Sequence, residues 1–456
     1  MLVAPLAIAW LTAILLAPLD GRRRWVGWLA VGGLATNFAA TVWLTGHVLQ
    51  RGAIEMVTGG WPPGVGIILR ADALGVLFAL LSMGVLLAAL TYEVIEGVHS
   101  RIYPAIVLFM AAGLSGLFIT GDAFNFYVFF EVSMTAAFVL ATYGEQARET
   151  RAALIFTVVN LVGSVLFLSG VVALYHVTGT LDMRHIALWA DTVEPSSMIL
   201  IATIIFVAFS VKLGLFPFHF WLPPVYRDTR TTVAAILSGA VANIGSYGLL
   251  RFGADILPRE RELGAAVLLL LGVLSTLYGA HQAVSVRTTK EALAYSSISQ
   301  AGYIMIAFAI GGPVGLTAAI LYAVVNALNK MVLFLATGLR GWLVSAAFAI
   351  GAFSVAGVPP SIGFFGKAAL FQAGIAREGA IVIAILFVGS ALAFVYMFQI
   401  YQRAFWEGER SGAASPAATR LMVFGLAGLV ALLGVWPEPL LALSQQAAQT
   451  LTGALP

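Results

Sequence analysis

Apolar runs of about 20 residues, separated by short charged joints, repeat along the whole chain. A run of that length spans the hydrocarbon core of a bilayer as a helix, whereas a transmembrane barrel shows alternating segments of about ten residues. The pattern therefore predicts an all-α polytopic membrane protein with one transmembrane domain, residues 1–456. Fourteen spans are predicted, near residues 2–18, 25–49, 71–91, 103–120, 122–143, 151–176, 197–222, 230–252, 263–286, 289–311, 313–338, 342–376, 379–405 and 419–436.

Composition agrees with a membrane protein and excludes several kinds of chemistry. Of the 456 residues, 61% are apolar and 10% are charged, against about 25% charged in soluble domains. The chain has no cysteine, which excludes disulfides, cysteine nucleophiles and thiolate-held iron–sulfur clusters. We therefore expect no cofactor and no metal site, and any redox chemistry would belong to a partner. The net charge of +3 is too small to indicate a nucleic-acid partner.

The distribution of basic residues between the joints predicts the orientation. One set of joints carries 14 Lys and Arg residues and the opposite set carries seven. Cytoplasmic joints are enriched in Lys and Arg, so we expect the first set in the cytoplasm and both termini outside a cell membrane. The 14 residues are Arg22, Arg23, Arg24, Arg101, Arg148, Arg151, Arg227, Arg230, Arg287, Lys290, Arg340, Arg403, Arg410 and Arg420.

Two predicted spans contain helix-breaking residues. Pro217 interrupts the seventh, and the segment 357–360, Gly-Val-Pro-Pro, interrupts the twelfth. Broken helices at matching places in two halves are typical of transporters built from repeats. The breaks lie five spans apart, and an odd offset reverses direction in the membrane. This predicts two inverted five-helix repeats, residues 103–252 and 263–405. The alternative is that the prolines only kink packed helices.

Lysine is placed differently from arginine. The chain has only four lysines, and three of them, Lys212, Lys330 and Lys367, lie inside apolar spans. A buried ammonium can release its proton, whereas a guanidinium stays charged. Because a charge at the bilayer centre costs about 2.5–3.5 kcal/mol, the three lysines predict proton or ion transfer. The alternative is that each lysine caps carbonyls at a helix break, which suits Lys367 best.

Glu131 is a lone carboxylate in the middle of the fifth span, among aromatic residues. It needs a nearby cation to stay ionised, and Lys212 is its predicted partner. If these two spans touch, separating the pair would shift the proton affinity of both groups and gate a proton. The alternative is a static buried ion pair, although such pairs rarely stabilise a protein.

Uncharged polar residues inside the spans predict a wet path. Asn243 lies in the eighth span, Ser296 and Ser299 in the tenth, and Asn326 in the eleventh. Each of them could instead provide hydrogen bonds between helices. Of the six histidines, His219, just past the break in the seventh span, is the candidate for a proton relay, with a structural contact as the alternative.

The sequence resembles the antiporter-like subunits of Mrp-type cation/proton antiporters, respiratory complex I and membrane-bound hydrogenases. Four stretches carry the likeness: GDAFNFYVFFE (121–131), SVKLGLFPFHFWLP (210–223), KEALAYSSISQAGY (290–303) and GVPPSIGFFGK (357–367). The first stretch is most similar to the D-type subunit of the Mrp antiporter. About 20 residues follow Trp436, too few for the long lateral helix of the largest complex I subunit of this type.

The resemblance implies 14 helices, two inverted repeats and a lateral polar axis through the middle of the membrane. It makes Glu131 the gating carboxylate, Lys212 its partner and Lys367 the lysine at which protons enter or leave. Many members carry lysine where this chain has Asn243 and histidine near Asn326. An amide cannot hold a transferable proton, so a relay from Lys212 to Lys330 would need water.

These observations predict a subunit of a multisubunit Mrp-type antiporter that exchanges protons for Na⁺ or another monovalent cation. Its expected partners are other membrane subunits in a lipid bilayer. Two alternatives remain. The chain could be the proton-pumping subunit of a redox complex, driven by electron transfer in its partners, or a scaffold that no longer pumps. The buried lysines argue against a scaffold, which gains nothing from those charges.

Overall fold

The computed structural model describes residues 1–61, 66–144, 146–377, 379–406 and 416–453, and Arg410 lies outside them. The described part is almost entirely helical. Its α-helices are α1 Ala4–Leu16, α2 Arg24–Arg51, α3 Ala73–Glu96, α4 Tyr103–Phe118, α5 Ala123–Ala141, α6 Ala147–Thr178, α7 Met183–Ala190, α8 Pro195–Leu213, α9 Leu222–Asp228, α10 Thr231–Ile236, α11 Ala242–Leu250, α12 Pro258–Leu263, α13 Ala265–Ser285, α14 Thr289–Ile310, α15 Gly312–Ala336, α16 Trp342–Ala356, α17 Ile362–Ala376, α18 Ala380–Tyr401, α19 Ala417–Val435 and α20 Glu438–Leu451.

The lengths and apolar composition of the helices are those of a multi-pass membrane protein. Within the described residues, eleven helical segments are long and apolar enough to cross a membrane. The three other predicted spans coincide with shorter apolar helices, namely α1, α4 and the pair α16 and α17. The polytopic all-α class is therefore confirmed, and the count of 14 stays a prediction.

Side-chain caps fix where several helices begin. Asp72 accepts the Gly75 N–H at 2.9 Å at the start of α3, and Asp122 accepts the Asn125 N–H at 2.7 Å at the start of α5. Such caps satisfy N–H groups that the first helical turn leaves free. The two carboxylates thus mark the starts of α3 and α5.

Both predicted breaks are present. In the seventh span α8 ends at Leu213, a 3₁₀ turn covers Phe218–Trp221, and α9 follows. In the twelfth span α16 ends at Ala356 and α17 begins at Ile362. A glycine with positive φ follows each first half, Gly214 at 70° and Gly357 at 82°, a conformation that disfavours residues with a Cβ.

The helices form an inner group and an outer group. The inner group is α3, α14, α15 and the segment Thr231–Ile256, which we call span 8. In span 8 a π-helical turn at Leu237–Val241 joins α10 to α11, and a second one at Arg251–Ile256 follows α11. The outer helices α2, α6, α18 and α19 expose much of their apolar surface. Polar groups on the inner helices are thereby shielded from the surroundings.

Several described elements lie outside the predicted spans or at their edges, among them two strands and two helices. Strands β1 (Ile54–Val57) and β2 (Ile68–Ala71) pair antiparallel, with Ile54 opposite Ala71. The short helix α7 lies between α6 and α8, and α20 packs on α3 and α15. The strands and α7 are too short to give a clear hydrophobic period.

Candidate functional site

Lys212 lies in the last turn of α8, directly before the first helix break, and is 5% exposed. Its Nζ donates to the Asn160 carbonyl oxygen at 2.7 Å and to Ser164 Oγ at 3.1 Å, both on α6. The same nitrogen lies 4.3 Å from the centre of the Phe130 ring. The ammonium is thus held by two oxygens and an aromatic face.

Glu131 follows Phe130 on α5, but it does not form the predicted ion pair with Lys212. Among the described residues no carboxylate oxygen lies within 4.0 Å of Lys212 Nζ, although the two charges interact electrostatically over a longer distance. The reason is geometric, because α6 supplies the oxygens that bind the ammonium. Within the described part of the chain, Glu131 Oε1 is buried without a hydrogen-bond partner.

Glu131 instead lines a surface groove of about 550 Å³. The groove lies along α4 and α5, and its other lining residues are apolar or weakly polar: Ile106, Phe109, Tyr127, Val128, Val132, Thr135, Ala136 and Val139. Glu131 is half-buried there. An ionisable group at such a surface inside a membrane is costly unless another group covers it.

A cavity of about 10 Å³ adjoins Lys212 and Asn160. Its far wall is formed by span 8, including Leu237 and Val241. That volume is near the minimum for one water molecule, and a water needs polar partners such as the Lys212 ammonium. The cavity extends the polar site from α8 towards span 8.

Lys330, on α15, is completely buried and begins a chain of hydrogen bonds. Its Nζ donates to the Leu293 carbonyl oxygen at 3.0 Å and to Ser296 Oγ at 2.8 Å. Ser296 donates to the Tyr396 hydroxyl at 3.0 Å. Gln300 Nε2 donates to the same hydroxyl at 3.0 Å, and the Tyr322 hydroxyl donates to Gln300 Oε1.

Lys367 lies at the second helix break and is 5% exposed. Its Nζ donates to the carbonyl oxygen of Ala356, the last residue of α16, at 2.9 Å, the contact that a capping role requires. The nitrogen also lies 5.6 Å from the centre of the Tyr303 ring, and that ring contacts the Tyr322 ring, with centroids 5.4 Å apart. A continuous series of polar and aromatic contacts thus joins Lys330 to Lys367.

The remaining predicted residues are placed less directly. Asn243 Nδ2 donates to the Gly239 carbonyl oxygen at 2.8 Å and to Ser82 Oγ at 3.3 Å. Ser299 Oγ and Asn326 Oδ1 are buried, and no described group bonds them. His219 stacks on Phe216, with centroids 5.4 Å apart, and its ring is tilted by 58° against that of Tyr278, with centroids 4.5 Å apart. The described residues offer its Nδ1 no partner. The contacts of His219 are therefore those of aromatic packing.

Two features of the site were not predicted from the sequence. Tyr322 and Tyr396 lie in apolar runs, where the hydroxyl was the one signal of a polar role. Arg251, placed at the end of a span by sequence, is 3% exposed because the helix continues to Ile256. It forms an ion pair with Asp72 at 2.7 Å.

Known proteins are similar to this chain in sequence and in fold. Residues 120–342 match the family described as NADH:quinone oxidoreductase/Mrp antiporter, TM. The chain is 31% identical to the D-type subunit of the Na(+)/H(+) antiporter of Alkalihalophilus pseudofirmus, over 96% of this chain and 94% of the relative.

Two solved structures have the same fold. One is a chain of the Mrp complex from Dietzia sp. DQ12-45-1b, with a TM-score of 0.91 and 25% identity over 99% of this chain and 97% of that chain. The other belongs to the membrane-bound sulfane sulfur reductase, an archaeal respiratory membrane complex, with a TM-score of 0.91 and 25% identity over 99% of this chain and 98% of that chain.

Proposed function

Because the chain belongs to the family of D-type Na⁺/H⁺ antiporter subunits, we propose that it translocates protons within a multisubunit Mrp-type antiporter, in exchange for Na⁺. The observation that carries the proposal is the buried series of contacts from Lys330 through Ser296, Tyr396, Gln300 and Tyr322 to the ring beside Lys367. A static helix bundle gains little from buried charges. Protons moving between lysines need hydrogen-bonding groups, and this series supplies them from Lys330 as far as Tyr322. The last contacts, through the Tyr303 ring to Lys367, are aromatic.

In this proposal each ionisable group has a defined place. Glu131 takes up or releases a proton at the groove on α4 and α5, and Lys212 is the next site. Water in the cavity beside Lys212 carries the proton past Asn243 towards Lys330, because no described side chain joins the two lysines directly. Asn326 and Ser299, with unused buried oxygens, orient that water. Lys367 is the terminal site, and His219 has a secondary part.

The proposal includes the inverted repeats, residues 103–252 and 263–405. The repeats are supported by an arrangement that occurs in both the seventh and the twelfth span. In each, a helix is followed by a glycine with positive φ and then by a second helix. A proton-bearing lysine lies near each break. We also propose a location in the cell membrane with both termini outside, supported by the excess of basic residues on the opposite joints.

A pump module of a redox complex is the second candidate, favoured by the structural likeness to the sulfane sulfur reductase chain. Purifying the complex from its native membrane, identifying its subunits by mass and assaying bound iron separates the two. An iron-free set of membrane subunits supports the antiporter. Iron–sulfur proteins in the set would assign the chain to a redox enzyme.

The direct test is Glu131→Gln, which keeps the shape of the side chain and removes its charge. We expect cation-driven proton flux in vesicles to be abolished while the complex still assembles. The matched control is Glu194→Gln, since Glu194 is an exposed carboxylate between α7 and α8, and it should transport normally. Transport retained in Glu131→Gln would remove Glu131 from the mechanism.

A further inference from the structure

Span 8 is tied to α3 by polar contacts at three levels. The two helices run antiparallel, so each end of α3 meets the opposite end of span 8. One tie lies near each end of α3 and one lies in between. In the first tie Arg251 Nη2 donates to Asp72 Oδ1 at 2.7 Å, and in the middle tie Asn243 Nδ2 donates to Ser82 Oγ at 3.3 Å. In the third tie Arg230 Nη1 lies 3.5 Å from Glu93 Oε1, and Thr232 Oγ1 donates to Glu93 Oε2 at 2.8 Å.

The two ties near the ends of α3 differ in strength. Asp72 is completely buried and Arg251 nearly so. Burial alone would raise the pKa of Asp72, but Arg251, with help from Arg70, lowers it to about 2. This tie therefore stays ionised and closed at every physiological pH. Arg230, by contrast, has a third of its side chain exposed, and its contact to Glu93 is longer.

His99 touches both members of the weaker tie. Its Nδ1 lies 2.9 Å from Arg230 Nη1 and 3.5 Å from Glu93 Oε1. A guanidinium can only donate, so Nδ1 accepts this hydrogen bond and carries no proton. The backbone N–H of His99 donates to the Tyr143 hydroxyl at 2.8 Å, which donates to Glu93 at 2.6 Å. The ring is thereby held beside the carboxylate.

A proton on Nδ1 would reverse these contacts. Nδ1 would no longer accept from Arg230, and it would place a positive charge beside the guanidinium. It would also become a donor to Glu93, replacing Arg230. Histidine is the side chain that proteins most often use as a pH sensor.

The charged side chains around His99 balance in number, so one proton added to His99 would change the net charge of the site. Glu93 and His99 face a cavity of about 480 Å³ at the predicted cytoplasmic side, and Arg22 Nε donates to the His99 carbonyl oxygen. Four carboxylates and four cations line this cavity. They are Glu93, Glu96, Glu149, Asp228, Arg148, Arg227, Arg230 and Lys290.

Arg230 also marks the start of the wall next to Lys212. It is the residue before α10, which leads into the π-helical turn that contains Leu237 and Val241. Those two side chains line the small cavity beside Lys212. Movement of the first turns of span 8 would change the barrier between the two cavities.

We propose that Glu93, His99 and Arg230 form a proton-sensitive latch that positions the first half of span 8 and controls water access to Lys212. Acid opens the latch at Arg230, while the tie at Arg251 acts as the fixed end. The three residues are positioning residues, since none of them touches the buried lysines. The consequence for transport rests on the proposed function, whereas the movement of span 8 does not.

The absence of cysteine allows a direct test with Leu237→Cys in the full complex. A water-soluble maleimide is applied at pH 5 and pH 8, and each rate is normalised to the same cysteine in SDS at that pH. We expect several-fold faster normalised labelling at pH 5, and no difference when His99→Gln is added. Labelling that does not depend on pH, or that depends on it equally without His99, overturns the latch.

A second measurement does not need the cysteine. The wild type should show a change in cation-driven proton flux at acid pH, and we expect His99→Gln to lose that change. Glutamine can accept a hydrogen bond from Arg230 but cannot become charged. His281→Gln, an exposed histidine near the end of α13 on the same predicted face, should keep the wild-type profile. An unchanged profile in His99→Gln would refute the latch.

Discussion

The buried ion pair between Asp72 and Arg251 gives a quantitative prediction for Asp72→Asn. Asparagine keeps the shape of the side chain and can still accept the Gly75 N–H, so the substitution removes mainly the charge. The pKa of Asp72 is about 2 against an ordinary value of 3.8. The folded protein therefore stabilises the ionised form, relative to the neutral form, by about 2.5 kcal/mol more than the unfolded chain does. We expect the variant to lose about that much free energy of unfolding.

Asp255→Asn is the matched control. Asp255 binds the same guanidinium at 2.8 Å, but its side chain is 20% exposed, and ion pairs that water reaches contribute about 0.2–1 kcal/mol. The assay is equilibrium unfolding of the full chain in mixed micelles at neutral pH. Equal losses in the two variants, or a loss below about 1 kcal/mol in Asp72→Asn, would refute the argument from burial.

The same pair predicts a dependence on pH. The pKa of Asp72 is lowered in the folded protein, so its contribution to stability is complete above the ordinary value and is lost as pH falls through about 2. The difference in stability between wild type and Asp72→Asn should therefore narrow as the pH falls from about 4 towards about 2. A constant difference over that range would contradict this assignment.

Two further predictions concern the transport axis. Tyr396→Phe removes the hydroxyl between Ser296 and Gln300, and we expect cation-driven proton flux to fall by about tenfold, the equivalent of one buried hydrogen bond. Tyr401→Phe on the same helix, whose hydroxyl contacts Ser345, should keep its flux; equal losses would show a packing effect. For Asn243→Lys we expect less than a doubling of flux, since water already carries the proton past this position. A large gain in the same vesicle assay would show that proton transfer past Asn243 limits the rate.

Much of the architecture could be predicted from the chain because the bilayer imposes a simple rule. Backbone groups in lipid must bond within their own segment, so long apolar runs become helices wherever they pack. The breaks at Pro217 and at 357–360 were equally local, since proline lacks a donor and glycine tolerates positive φ. The buried lysines were visible because charge is rare in such runs.

The partners of those lysines were decided by the tertiary structure. Sequence placed Glu131 beside Lys212, yet α6 presents two oxygens to the ammonium and Glu131 lines a surface groove. Tyr396 could not be chosen in advance, because nothing in its own helix shows that Ser296 and Gln300 lie across from it.

The sequence by itself therefore determined the class of the fold, the breaks and the kinds of proton-bearing groups, since each depends on a residue and its immediate neighbours. The structure alone decided which groups meet. Contacts such as Arg251 with Asp72, or Arg230 with His99, join residues 179 and 131 positions apart. Their distances depend on how helices pack, which no local period encodes.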